Sequence, residues 1–170
     1  MISYVLPTRD RADALRATLD SLAALPRHDA QAVIVDNGST CPVSAPRELG
    51  NGVVCEVVRL ERNIGTAARN VGVARAAALA GEGDDHWVVM LDDDSAPLDA
   101  RFLGVPAAAP RDVGAIAAEV FLPSVDGATR HEAGGLPEVF IGCGVAIRAC
   151  DFLALKGYDR AFDYYGEEYD

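Results

Sequence analysis

The sequence is short of positive charge. Lysine and arginine total 15 against 26 aspartates and glutamates, a net charge of −11 at neutral pH. A nucleic-acid backbone or an anionic membrane would repel such a chain, which excludes either as its main partner. Cysteine is scarce as well. Four residues, Cys41, Cys55, Cys143 and Cys150, form no CxxC pair and stand with no histidine at metal-ligand spacing, so neither a disulfide framework nor a zinc site is expected. They read as free thiols of a reducing cytoplasm, with no signal peptide before them. No apolar run is long enough to cross a bilayer. The chain is expected to be soluble or at most peripheral to a membrane. Nor does a G-x-G-x-x-G follow any strand, which argues against a simple dinucleotide-type phosphate site.

What the chain does have is the composition of a soluble globular protein, 50% hydrophobic and 24% charged. Its 170 residues suffice for one α/β domain with a proper core, not for two of ordinary size. Residues 2–6 read as a first strand, stopped by Pro7, which cannot donate to a sheet ladder. Asp10 then reads as the N-cap of a helix whose Leu15, Leu19 and Leu22 form one apolar stripe. Residues 32–35 are a second buried strand ending in Asp36 and the turn pair Asn37-Gly38. Residues 41–52, with two prolines and two glycines, form a loop before a third strand at 53–60. After a turn at Arg62-Asn63-Ile64-Gly65-Thr66, an alanine-rich helix runs to about Ala80, its small side chains suited to close packing on a sheet.

The stretch 86–97, HWVVMLDDDSAP, organises the rest. Residues 87–91 are apolar at every position, which suits a strand buried on both faces of a parallel sheet. Asp92, Asp93 and Asp94 follow at once. Alternation along an extended chain puts Asp92 and Asp94 on one side and Asp93 on the other. At a separation of about 5 Å and an effective dielectric near 20, the two repel by roughly 3 kcal/mol, a repulsion that a divalent cation would reverse. One or two carboxylates with substrate phosphates completing the shell describe a Mg²⁺ or Mn²⁺ site. The plainer reading is an acidic turn capping a helix over 97–103.

Alternating strands and helices imply right-handed βαβ units and a parallel sheet, with ligands outside the carboxyl ends of the strands. Thr8, Arg9, Asp36 and Asp92 to Asp94 all fall just past strand ends, so this fold gathers them on one rim. Further on, residues 113–122 read as extended, and Asp126-Gly127 marks a hairpin to 128–131. Residues 139–147, with Gly142 and Gly144, read as another strand, whose missing side chains permit close approach of a ligand. A short helix over 151–156 is closed by Gly157 as its C′ residue. The sequence stops inside an aromatic and acidic cluster, and it is expected to be a fragment truncated at its C-terminus. His131 reads as a surface strand residue, and Tyr158, Phe162, Tyr164 and Tyr165 read equally as packing or as a sugar platform.

Five segments, in order, resemble one family. The opening ISYVLPTRDRADALRATLDSL, then AVIVDNGST, then Asn63-Ile64-Gly65 with Ala67-Ala68-Arg69-Asn70-Val71-Gly72, then the strand carrying Asp-x-Asp, then Gly157-Tyr158-Asp159 through Glu167-Glu168-Tyr169-Asp170, are similar to the motifs of glycosyltransferase family 2. The resemblance implies an inverting, metal-dependent enzyme of GT-A type fold: an α/β, mostly parallel Rossmann-like sheet flanked by helices, with an acceptor-side mixed region after the Asp-x-Asp strand. It implies one domain over 1–170, its nucleotide-sugar-binding half at 1–97 and its acceptor-side half at 98–170. Pro7, Thr8, Arg9 and Asp36 would contact base and ribose, with Asn63 and Gly65 alongside. Arg69 would lie near the base or diphosphate. Asp92 would reach the ribose, beside Asp93, and Asp94, assisted by Asp92, would bind the Mg²⁺ or Mn²⁺ that bridges the diphosphate. Gly142 and Gly144 match the acceptor-side strand. The general base falls to Glu168, Glu167 or Asp170, because Glu168 stands where the family has Asp. Expected partners are a nucleoside-diphosphate sugar and a carbohydrate, lipid-linked or small-molecule acceptor. The alternatives are a nucleotidyltransferase of nucleotide-sugar synthesis, disfavoured because Pro7-Thr8-Arg9-Asp10 contains no glycine, and a non-catalytic nucleotide-sugar-binding domain.

Overall fold

The computed structural model describes residues 1–81, 85–123, 129–132 and 140–161. A six-stranded sheet runs in the order β3-β2-β1-β4-β8-β5. Its first four strands, β1 (Ile2–Thr8), β2 (Ala30–Asp36), β3 (Val54–Arg59) and β4 (Trp87–Met90), are parallel. β8 (Val145–Arg148) lies antiparallel to β4, and β5 (Ala115–Ala117) antiparallel to β8, so the second half of the chain completes the sheet begun by the first. β6 (Val120–Pro123) and β7 (Thr129–Glu132) form a separate antiparallel pair. The helices are α1 (Ala12–Ala23), α2 (Ala68–Ala80), α3 (Gly104–Ala108) and α4 (Ala149–Ala154).

The unbroken apolar runs of β1, β2 and β4 are explained by two cores, one on each face. Tyr4, Leu6, Ala32, Ile34 and Val89 pack against Leu15, Leu19 and Leu22 of α1. Val5, Val33, Val35, Val88 and Met90 pack against Ala68, Val73 and Ala76 of α2. Alternate residues of each strand thus go to opposite layers, and neither face can be polar. The small residues of α2 let it lie close. A Cβ built on Gly72 would stand 2.4 Å from Val5 Cγ1 and 3.1 Å from Val35 Cγ2.

Several local expectations are corrected. Pro7 does not stop β1, which continues to Thr8, with Pro7 in register with Val35. Even-numbered residues of β1 bond to β2, as in Ile2 N to Asp29 O and Asn37 N to Thr8 O, whereas Val5 O accepts from Leu91 N of the β4 side. The missing N–H of Pro7 therefore faces the side where β4 has already ended, and no ladder bond is lost. Asp10 is not the N-cap. It sits at φ +55°, donating its N–H to Ser39 Oγ and accepting from Thr40 N, while Arg11 occupies the cap position. The expected helix over 97–103 begins only at Ala100, as a 3-10 turn capped by Asp99 that leads into α3. The extended stretch 113–122 is divided between β5 and β6, which join different sheets. The strand expected over 139–147 starts at Val145; Gly142 and Gly144 lie in the turn before it, closed by Gly144 N to Ile141 O. At the end of α4 the C′ position belongs to Lys156, φ +70°, with Gly157 following at φ +68°.

Arg148, nearly buried, fastens the far edge. Its Nε donates to Val113 O at 2.9 Å, its Nη2 to Pro110 O at 3.0 Å, and its guanidinium lies 4.4 Å over the Trp87 ring. Among the described residues, no helix is long and apolar enough to cross a membrane.

Candidate donor site at the carboxyl edge of the sheet

The parallel register sets Thr8, Asp36 and Arg59 in one row across β1, β2 and β3, and the chain leaves β4 beside them at Leu91-Asp92. Because β8 is antiparallel to β4, with Val145 opposite Met90, its leading turn with Gly142, Cys143 and Gly144 arrives at the same rim. The topology thus gathers what the sequence scatters.

Asp36 has no exposed surface. Its Oδ1 accepts from Ser39 N at 2.9 Å, and its Oδ2 from Val43 N at 3.2 Å and Arg59 Nη1 at 2.9 Å. Burial pushes its carboxyl pKa up, but the bonds from Ser39 and Val43 and the charge of Arg59 outweigh burial and hold it below the usual range. This carboxylate shapes the loop after β2, and both of its oxygens are occupied in doing so. Asn37 extends the same job. Its Nδ2 donates to Asn63 Oδ1 at 2.8 Å and Gly65 O at 3.1 Å, and its Oδ1 accepts from Ile64 N at 2.9 Å. Gly38, at φ +73°, passes so close to this second loop that a Cβ would lie 2.5 Å from the Arg62 carbonyl carbon. Pro7 and Thr8 end β1 beneath these loops, and Arg9 is half exposed above them, 3.8 Å from Asp10.

The acidic triplet lies past the end of β4, in a turn closed by Ser95 N to Asp92 O at 3.2 Å. Asp93 turns inward, 4% exposed, with Oδ2 accepting from Thr8 Oγ1 at 2.7 Å, Oδ1 paired with Arg11 Nη1 at 2.8 Å, and its carbonyl accepting from Thr18 Oγ1 at 2.8 Å. Burial raises its pKa; Thr8 and Arg11 oppose this, Asp94 and Asp92 add to it, and the net direction is upward. Asp92 and Asp94 stay about half exposed, Asp94 pairing with Arg11 Nη2 at 2.6 Å and Asp92 with Arg69 Nη2. Arg69 itself is only 7% exposed, and its Nε is buried with no hydrogen-bond partner among the described residues. The Cys143 thiol faces this group: burial raises its pKa, the charge of Asp92 adds to that, and Arg69 opposes it.

Asp92, Asp93, Asp94, Arg69, Thr8 and the turn bearing Gly142 and Gly144 are brought together, and Asp36, Asn63 and Gly65 form the adjoining loops. Glu167, Glu168 and Asp170 lie outside the described residues, as do Phe162, Tyr164, Tyr165 and the Asp126-Gly127 turn. Sequence reading missed Arg11, Arg59, Asn37 and Asn70. The last accepts from Tyr158 N at 2.9 Å and donates to Tyr158 O at 2.8 Å, tying the segment after α4 to α2. All of these but Arg59 lay within the quoted segments, although an arginine such as Arg11 carries no periodic signal of its own.

A doubly covered, mostly parallel sheet whose acidic Asp-x-Asp follows the fourth strand and whose last strands return antiparallel is a GT-A type fold. The sequence pattern of glycosyl transferase family 2 matches residues 3–134, and the chain belongs to that family. A pre-mycofactocin glycosyltransferase of Mycobacterium tuberculosis is 32% identical over 97 residues, 56% of this chain but 18% of its own length. A mannosyltransferase from Pyrobaculum calidifontis, solved with GDP-Man and Mn²⁺, superposes at a TM-score of 0.65 with 19% identity, over 94% of this chain and 47% of that one. The S. aureus TarS fragment 1-349 solved with UDP superposes at a TM-score of 0.64 with 19% identity, over 98% of this chain and 52% of that one. The chain spans about half the length of these solved structures and less than a fifth of the curated relative.

Proposed function

We propose that this chain transfers a sugar from a nucleoside-diphosphate donor to an acceptor hydroxyl, by one in-line displacement with inversion, assisted by Mg²⁺ or Mn²⁺. The observation that carries the reading is the rim itself: Asp92 and Asp94, half exposed and each paired with an arginine, with the buried Arg69 beside them. The relatives' complexes with GDP-Man, UDP and Mn²⁺ support it.

Among the described residues, no three His, Cys, Asp or Glu side chains converge on a metal position. A closed structural metal centre is therefore a poor fit. Hard oxygens from one or two carboxylates do fit a Mg²⁺ or Mn²⁺ that draws its other ligands from a diphosphate and water, with Asp94 and Asp92 as the protein's share. When bound, the cation supplies neutralisation of the charge that grows on the departing nucleoside diphosphate. The remaining roles belong to the chain. The loops carrying Pro7, Thr8, Arg9, Asn63 and Gly65 hold the nucleoside, beside the loop after β2 that Asp36 shapes. Arg69 orients Asp92 toward the ribose. Gly142 and Gly144 belong to the turn on the acceptor side, where Gly144 makes room for Val120, whose Cγ2 would stand 2.9 Å from an added Cβ. One of Glu168, Glu167 and Asp170 takes the acceptor proton. The acceptor is a carbohydrate, lipid-linked or small-molecule alcohol, and four free thiols suit a cytoplasmic enzyme.

The test is to incubate the chain with UDP-, GDP- and dTDP-sugars and Mn²⁺, measure release of nucleoside diphosphate, and read the anomeric configuration of the product by NMR. Release from one donor class with inversion is expected. Retention of configuration would refute the single displacement, and tight donor binding without any release would favour the non-catalytic binding domain.

A further inference from the structure

Arg11 holds two carboxylates with one fork, and the two prongs are unequal. Nη1 sits on Asp93, whose side chain is 5% exposed and already bonded to Thr8. Removing Nη1 would leave a buried carboxylate short of a partner, which is costly. Nη2 sits on Asp94, with both side chains about half exposed. An ion pair in that setting is weak and exchanges readily. One prong is fixed and the other is free to leave.

We infer that Arg11 is a donor-binding residue anchored by Asp93: when a divalent cation takes Asp94, the released Nη2 turns to a phosphate oxygen of the donor diphosphate. The inference rests on the donor-site reading above and deepens it. Charge supports the exchange. Three carboxylates face the two guanidiniums of Arg11 and Arg69, so a divalent cation turns the small excess of negative charge into an excess of positive charge, which a diphosphate then balances. Arg69, nine-tenths buried and paired with Asp92, is a second guanidinium at the same rim, and its Nε has no acceptor among the described residues. Arg11 suits the task because its planar fork can keep one carboxylate while engaging a phosphate, which a lysine ammonium cannot do with fixed geometry. Asp93 is then a positioning residue for Arg11 and not a ligand of the cation. Asp93 shares the fork of Arg11 with Asp94, and its own burial against Thr8 is what anchors the arginine.

Two titrations on the same chain test this: Mn²⁺ alone, and whichever of UDP, GDP and dTDP binds best in saturating Mn²⁺. Arg11→Met should bind Mn²⁺ alone at least as tightly as wild type, because Asp94 no longer has a competitor, and should bind the nucleoside diphosphate about 10- to 100-fold more weakly, the worth of one charge-assisted hydrogen bond. Asp93→Asn should leave Mn²⁺ binding unchanged and weaken the nucleotide. Arg11→Lys, which keeps the charge and loses the fork, should fall between, and it decides the matter if Arg11→Met does not fold. Wild-type nucleotide affinity in the Arg11 variants overturns the inference. So does parallel loss of Mn²⁺ and nucleotide with a lowered melting temperature, which would make Arg11 a structural strut. Loss of Mn²⁺ alone in Asp93→Asn would make Asp93 a metal ligand. A wild type that binds no nucleoside diphosphate at all removes the donor site itself, an outcome separate from these.

Discussion

Replacing Asp36 by Asn tests whether a buried carboxylate holds the loop after β2. The amide keeps one oxygen, which can still accept from Ser39 N, and puts an NH₂ against the donors Val43 N and Arg59 Nη1. Two bonds to a charged acceptor are lost. At about 1.5–3 kcal/mol for the backbone donor, and about 1 kcal/mol for Arg59, which is half exposed, Asp36→Asn should cost roughly 2–4 kcal/mol at neutral pH. That corresponds to a fall in Tm of roughly 5–15 °C for a domain of this size. The deficit must also depend on pH. Because the folded-state pKa of Asp36 is lowered, its contribution is full above the unfolded value near 3.9 and disappears as pH falls through the folded value. The gap between wild type and variant should therefore hold from pH 7 to about pH 5 and close below about pH 4. Urea denaturation followed by the fluorescence of Trp87, the only tryptophan and 2% exposed, measures it. A gap below about 0.5 kcal/mol, or one that stays constant down to pH 3, would refute the argument.

The other predictions follow the same contacts. Gly38→Ala should destabilise by about 2–4 kcal/mol in urea denaturation, since its Cβ meets the Arg62 and Asn63 backbone at φ +73°, whereas Gly50→Ala, with nothing within 4 Å, should change stability by less than about 0.5 kcal/mol. Asn70→Ala should cost about 1–3 kcal/mol and speed hydrogen exchange of the Tyr158 amide, which donates to it, while leaving the Trp87 amide, bonded to Met1 O, protected. His86, buried against Ser3, has its pKa lowered by burial and by the nearby N-terminal ammonium. The unfolded chain takes up its proton first, so stability should fall as pH drops below about 6.5, and His86→Gln should flatten the melting temperature between pH 7 and 5.

Where one physical cause dominates, the sequence is legible. Burial on both faces makes β4 apolar at every position and leaves only Ser3, Thr8, Gln31 and Asp36 polar in β1 and β2, and the leucine stripe of α1 is the periodicity of one buried face. The strand period of two misled at the acidic triplet, because β4 ends at Met90 and the chain turns: Asp93 and Asp94 share Arg11, while Asp92 pairs with Arg69. Pro7 misled because its cost depends on which neighbouring strand its nitrogen faces, a fact of topology. Asp10 misled because its carboxylate serves Thr40, thirty residues away, and not the helix beside it. Arg11 and Arg59 were invisible for the same reason: an exposed arginine carries no periodic signal, and its partners are chosen by tertiary contact. The two glycines before β8 gave the opposite error, extending a strand through what is a turn.

The donor rim is tested most directly by calorimetric titration of UDP, GDP and dTDP, with and without Mn²⁺, into the wild type and Asp94→Ala. The account predicts that one nucleoside diphosphate binds, that binding requires Mn²⁺, and that it is lost in Asp94→Ala while the variant melts close to wild type. Binding by none of the three under any metal condition, or metal-independent binding that Asp94→Ala leaves untouched, would contradict it.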